Sequence, residues 1–151
     1  MYDSTEDTLK HIQDVQDELF KFLTGLVDRG LNHDASKLQF PEKELFDKWT
    51  PILKELVYGS DEYKDSLNKL KPALDHHYAN NSHHPQYYEN GIDGMNLYDI
   101  VEMYCDWKAA VKRTKDGNIF KSLEYNRIRF EMSDQLCNIF RNTLEKDEQN
   151  V

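Results

Sequence analysis

The chain has 151 residues, 19 of them basic and 28 acidic, for a formal charge of -9 and a hydrophobic fraction of 38%. That length suits one domain with a sizeable core, no apolar run reaches the roughly 18 to 20 residues that span a bilayer, and the charge opposes general capture of nucleic acid or an anionic membrane. The start, MYDSTEDTLKH, is acidic and unlike a secretory or transit peptide. Two cysteines, Cys105 and Cys137, are too few for a disulfide framework. A cytoplasmic protein with reduced thiols is expected.

In chain order the pattern reads as nearly all helix, because only 13 residues are Val or Ile and no strand-like alternation is sustained. Leu9, Ile12, Val15, Leu19, Phe22, Leu23 and Leu26 recur at helical spacing. They predict a first helix from about Ser4 to Arg29, with Ser4 and Asp7 as a capping pair and Gly30 as its stop. LNHDASKLQF follows as a short connection. Pro41-Glu42 opens a second helix that Trp49-Thr50-Pro51 breaks or kinks. Gly59-Ser60 separates a third, running to about Tyr78, with Pro72 kinking it or starting a new turn. Residues Asn80 to Asn96 form the main irregular segment. A helix is expected from Leu97 to Lys112, a turn over Lys115 to Asn118, and final helices over Phe120 to Phe130 and Ser133 to Leu144. The last seven residues are expected to fray. The fold class is all-α, a single compact helical domain over 1–151 with a core of about 4–144.

All six histidines fall in short clusters: His11 alone, His33 beside Asp34, and the pairs His76-His77 and His83-His84. In a tight turn His33 and Asp34 can reach one ion, through nitrogen and oxygen; otherwise the pair is a helix cap beside a surface histidine. His11 lies about 20 to 40 degrees from Phe22 and Val15 on the first helix, at the border of the apolar stripe. In NLYDIVEMYCDWKAA, Leu97, Ile100, Tyr104, Trp107 and Val111 form one face. Asp99, Glu102 and Asp106 share another within about 60 degrees. Three carboxylates on one stripe repel each other unless a cation compensates, so Asp106 is a candidate ligand and Glu102 and Asp99 are candidates for an outer or second-metal role. Four histidines within nine residues, with Pro85 holding His84 extended, point to a structured loop over a site. Imidazole with carboxylate suits Zn, Fe, Ni, Co or Mn, and no cysteine lies near enough for a thiolate zinc site.

The ordered series HDASKL, Pro41-Glu42, ALDHHYANNSHHP with YYENG, LYDIVEMYCDWKAA and Arg141-Asn142-Thr143 spans about residues 11 to 143. It resembles the HD-domain metal-dependent phosphohydrolase superfamily. More narrowly, it is similar to a family of small helical proteins of phages and bacteria. It also resembles the HD-GYP branch in its double histidine before a glycine-containing loop, although Asn90-Gly91 stands where the GYP tripeptide would be. The resemblance implies an HD-like helical bundle, in the host cytosol if phage-encoded. It implies His11, His33, Asp34 and Asp106 as ligands, with His77, His83 or His84 serving a second metal. Lys37 would hold substrate phosphate or an internal carboxylate.

The implied activity is hydrolysis of a small phosphate ester, a nucleotide or a similar molecule, with one or two divalent ions drawn from Mn, Fe, Co, Ni, Zn or Mg. A bound ion would activate water, with Asp34 as general base or bridging ligand. Of Lys37, Lys108, Lys112 and Arg113, the geometry of an ideal helix favours Lys37 and Arg113 for phosphate. Tyr87, Tyr88 and Trp107 are stacking candidates or core aromatics. Two other readings stand beside this one: a di-iron protein of the same helical type that consumes O2, and a non-catalytic module binding a metal, a nucleotide or a basic partner. A homo-oligomer is compatible with all three.

Overall fold

A computed structural model describes residues 2–56, 60–113 and 116–149. The chain divides into two units, Met1–His33 and Asp34–Val151. Among the described residues there is no strand, and the class is all-α. Among the described residues no helix is long and apolar enough to cross a membrane.

The first unit is one helix, α1 (Thr5–Asn32). Its start is not the expected capping pair. Ser4 is the N-cap residue but its side chain makes no capping bond, and Asp3 instead accepts from Thr5 N at 3.0 Å and Thr5 Oγ1 at 2.6 Å. Nor does Gly30 end the helix. Glycine permits a stop without imposing one, at a cost of roughly 1 kcal/mol relative to alanine. The last turn is tied instead by Asn32 Nδ2, which donates to Asp28 O at 2.8 Å. The helix ends where His33 turns extended and Asp34 adopts a left-handed backbone, φ 55 and ψ 18.

The second unit opens with a 3-10 turn, Ala35–Leu38, followed by α2 (Glu42–Glu55) and α3 (Asp61–Asn80). Pro51 and Pro72 both lie inside these helices and break neither. An interior proline costs an isolated helix about 3 kcal/mol. The two helices pack on each other, burying Leu70, Ala73 and His77 of α3 and Glu42 of α2, which offsets that cost. Trp49 of α2 lies under the ammonium groups of Lys48 and of Lys69 on α3, each 5.0 Å from its ring. Ser60 caps α3 by accepting from Tyr63 N; its expected companion Gly59 lies outside the described residues, as does Lys115 of the expected turn.

Two further 3-10 turns, Pro85–Tyr87 and Gly91–Gly94, lead to α4 (Leu97–Val111), α5 (Ile119–Arg129) and α6 (Asp134–Gln149). The main core joins Ile92, Met103, Leu123, Met132, Cys137, Phe140 and Leu144. Trp107 stacks on Phe130 at 6.2 Å and meets Phe140 edge-on, so it is a core aromatic and no platform for a base. Of the expected apolar face of α4, Ile100, Tyr104 and Trp107 do pack here, while Leu97 is exposed. Of the last seven residues, expected to fray, those up to Gln149 are helical, and Tyr104 and Lys108 of α4 both bond Asp147; Asn150 and Val151 lie outside the described residues. Cys105 and Cys137 are free.

Candidate metal centre

The end of α3 and the loop after it bring three histidines to Asp34. Asp34 reaches them through its left-handed backbone, a conformation that Asp and Asn tolerate better than other side-chain-bearing residues. His77, on the last turn of α3, is 2% exposed, as is His83. Ring nitrogens of His77, His83 and His84 and a carboxylate oxygen of Asp34 all lie within 4.8 Å of one another. Asp34 Oδ1 is 3.2 Å from His77 Nε2 and 3.4 Å from His83 Nε2. The Nε2 atoms of His77 and His84 are 2.8 Å apart.

The two buried histidines are each backed by an outer carboxylate. His77 Nδ1 donates to Glu42 Oε2 at 2.9 Å, and His83 Nδ1 lies 3.1 Å from Glu102 Oε1. Both rings therefore turn Nδ1 outward to a glutamate and Nε2 inward to Asp34. Positive charge is needed where the inner atoms meet. Protons can supply it, and so can a metal ion, for which each Nε2 lone pair becomes a ligand. Ligating histidines characteristically carry such a carboxylate on the far nitrogen. Three nitrogens and one oxygen with no sulfur form a set suited to Zn, Fe, Co or Ni, so the residues present fit an ion of that class.

Electrostatics agree with the geometry. Burial acts to raise the Asp34 carboxyl, but His77, His83 and the Lys37 ammonium outweigh it and hold it well below the usual carboxylate range. His84 is held down to about 3 by burial first and then by the neighbouring charge of His83 and His77, so its ring is neutral and able to ligate at ordinary pH. Lys37 Nζ bonds Asp34 Oδ2 at 2.6 Å, the internal carboxylate that was one of its two expected partners.

Around this group the chain is locked. Asn81, the C-cap of α3, donates to His77 O and to Ser36 Oγ, both at 2.8 Å. This ties the turn after Asp34 to the end of α3. Asp99 is fully buried and accepts from Ser82 Oγ at 2.6 Å, Tyr88 Oη at 2.6 Å and Asn96 N at 3.0 Å. Its expected outer or second-metal role is replaced by a structural one. It is the third residue of a capping box with Asn96 and the anchor of the loop that carries His83 and His84.

The other expected residues divide. Asp106 stands beside the group, with a carboxylate oxygen within 4.8 Å of a His83 ring nitrogen. Glu102 backs His83, as an outer residue would. His11 is not brought to His33-Asp34: α1 is continuous between them, and 22 residues of helix place His11 about 33 Å from His33 along the axis. His33 closes α1 as its C-cap residue and belongs to the first unit. Arg113 is exposed just past the end of α4, two turns beyond Asp106. Lys108 is tied to Asp147, and Tyr87 packs on Tyr88 at 4.9 Å. Glu42, which the sequence places at a helix start and in the ordered series but gives no role, is fully buried and bonded to both His76 and His77.

Residues 1–146 match the model of DUF5662, a family of unknown function. No curated protein and no solved structure matches the chain.

Proposed function

The chain belongs to the DUF5662 family, and from its centre we propose that it is a metal-dependent hydrolase of phosphate esters, acting on a nucleotide or a similar small phosphorylated molecule. The observation that carries the proposal is the convergence of Asp34 with His77, His83 and His84, two of the histidines being backed by glutamates. An ion held by Asp34, His77, His83 and His84 would supply Lewis acidity and the means to activate water. The protein's own residues do the rest. Asp34 is ionised and presents Oδ1 inward, where it can accept a proton from water or share in holding the cation. Lys37 neutralises the other oxygen of Asp34 and, at 41% side-chain exposure, is open to contact with a substrate phosphate. Buried His77 and His83 hold the inner donors in fixed orientation. The resemblance of HDASKL and the later histidine series to the HD-domain superfamily favours phosphate chemistry over other hydrolyses.

The test is metal analysis of the purified protein, then phosphate release from a panel of nucleotides and sugar phosphates with Mn, Co, Ni, Zn or Fe(II) added. Turnover that needs the ion and is abolished by Asp34→Asn supports the proposal. Metal binding without phosphate release from any compound, but with Fe(II)-dependent O2 consumption, would replace it with the oxidative reading.

A further inference from the structure

Glu42 is fully buried, and the hydrolytic reading uses it only behind His77, leaving its second bond, to His76, without a task. It is the first residue of α2, yet its carboxylate runs into α3. Consecutive residues on a helix diverge by about 100 degrees, so His76 and His77 would not ordinarily share a partner. Glu42 takes both, with Oε1 2.8 Å from His76 Nδ1 and Oε2 2.9 Å from His77 Nδ1. A buried carboxylate requires donors on its oxygens, and the two imidazole N–H groups provide them. With Nδ1–H committed outward, His77 has only Nε2 to offer the inner group, and a carboxylate behind the ring fixes its tautomer and orientation. His76 is 39% exposed on its side chain and is not among the converging donors. Its bond to Oε1 nevertheless fixes how Glu42 is aimed at His77.

We propose that Glu42 is a positioning residue that clamps His76 and His77 by their Nδ1 atoms, and that His76, without touching the ion, sets how tightly the centre holds a first-row transition metal. The inference rests on the metal reading of the centre and extends it outward along the line His76, Glu42, His77. It concerns binding and is independent of which reaction the centre runs.

The experiment titrates the full-length metal-free protein with Co2+, reading the visible d–d absorption and then competing with Zn2+ to obtain affinities. Glu42→Gln keeps the shape but not the charge, and His76→Gln removes the outer arm alone. Glu42→Gln is expected to weaken Co2+ binding about 10- to 100-fold, the usual effect of losing an outer carboxylate, and to shift the absorption band. His76→Gln is expected to weaken binding by about 10-fold, the lower end of that range, with a smaller shift of the band. Glu42→Asp keeps the charge but is one methylene short of spanning both rings, so it should fall between Glu42→Gln and the unaltered chain. A merely structural role would change thermal stability without moving the band of the folded protein. An unaltered chain that gives no Co2+ band overturns the metal reading together with the clamp. A normal band with affinity and spectrum unchanged in Glu42→Gln and His76→Gln overturns the clamp alone. If Glu42→Gln does not fold, the half-exposed His76→Gln decides by the same criterion.

Discussion

The Tyr88 hydroxyl donates to Asp99 Oδ2 at 2.6 Å, while Ser82 Oγ donates to Oδ1 of the same carboxylate at 2.6 Å. One buried side chain in the first turn of α4 thus pins the loop on both sides of His83 and His84. Asp99→Asn would keep the volume but turn an amide donor toward donors. Hydrogen bonds to charged groups are each worth about 1.5 to 3 kcal/mol. We expect Asp99→Asn to destabilise the fold by about 2 to 3 kcal/mol in urea unfolding, and to weaken metal binding as well, because the loop loses its anchor. Unchanged stability would show that the loop is held by other means.

The same pair sets an alkaline limit. Burial first, and then the bond to Asp99, push Tyr88 up to about 12 from its ordinary value near 10. Between those two values the folded chain keeps a proton that the unfolded chain has released, so stability falls as pH rises. The contribution is complete below pH 10 and lost toward pH 12. Tyr88→Phe should therefore show a shallower loss of stability over that window than the unaltered chain, measured by denaturant unfolding at stepped pH. Parallel slopes would remove Tyr88 as the source.

Position 34 separates charge from backbone. Asn shares with Asp a tolerance for the left-handed region, whereas Ala there costs about 1 to 2 kcal/mol. Asp34→Asn should abolish turnover, sharply weaken metal binding and lower the melting temperature of the metal-free protein through loss of the Lys37 ion pair. Asp34→Ala should do all three and lower the melting temperature further, by the added backbone cost. Calorimetry on the two metal-free variants checks the difference, and equal melting temperatures would contradict it.

Leu123 of α5 is 2% exposed in the main core, away from the converging histidines. Leu123→Ala is expected to cost about 2 to 5 kcal/mol through lost burial and the cavity left behind. The Co2+ spectrum of the remaining folded protein should be that of the unaltered chain. A changed spectrum would show that core packing reaches the centre through Met103 and its neighbour Glu102.

Apolar spacing was enough to read the helices, and histidine clustering marked the segment whose His77, His83 and His84 converge on Asp34, because both are local patterns. What the sequence hid is tertiary. Pro51 signals a break or kink and Pro72 a kink or new turn by local rule, yet both lie inside helices that pack on each other. Gly30 suggests a stop, but the stop comes from the backbone of Asp34 four residues on. Asp99 shares a stripe with Glu102 and Asp106 and was grouped with them, yet the pattern Asn96-x-x-Asp99 already carries the signal of a capping box. Glu42 gives no local signal at all: a glutamate after a helix-opening proline is ordinary, and its insertion between His76 and His77 exists only once two helices meet. His11 shows the reverse, a plausible residue type that an uninterrupted helix holds about 33 Å from His33 along its axis.

His77, His83 and His84 come from eight consecutive residues, whereas Asp34 lies 43 residues before His77. An ion bound to all four is therefore a cross-link as well as a reagent. It closes a loop that contains the whole of α2 and most of α3, much as a disulfide would, and such closure disfavours the unfolded chain more than the folded one. Free metal should accordingly act as a concentration-dependent stabiliser, and a chelator should loosen the α2–α3 pair first.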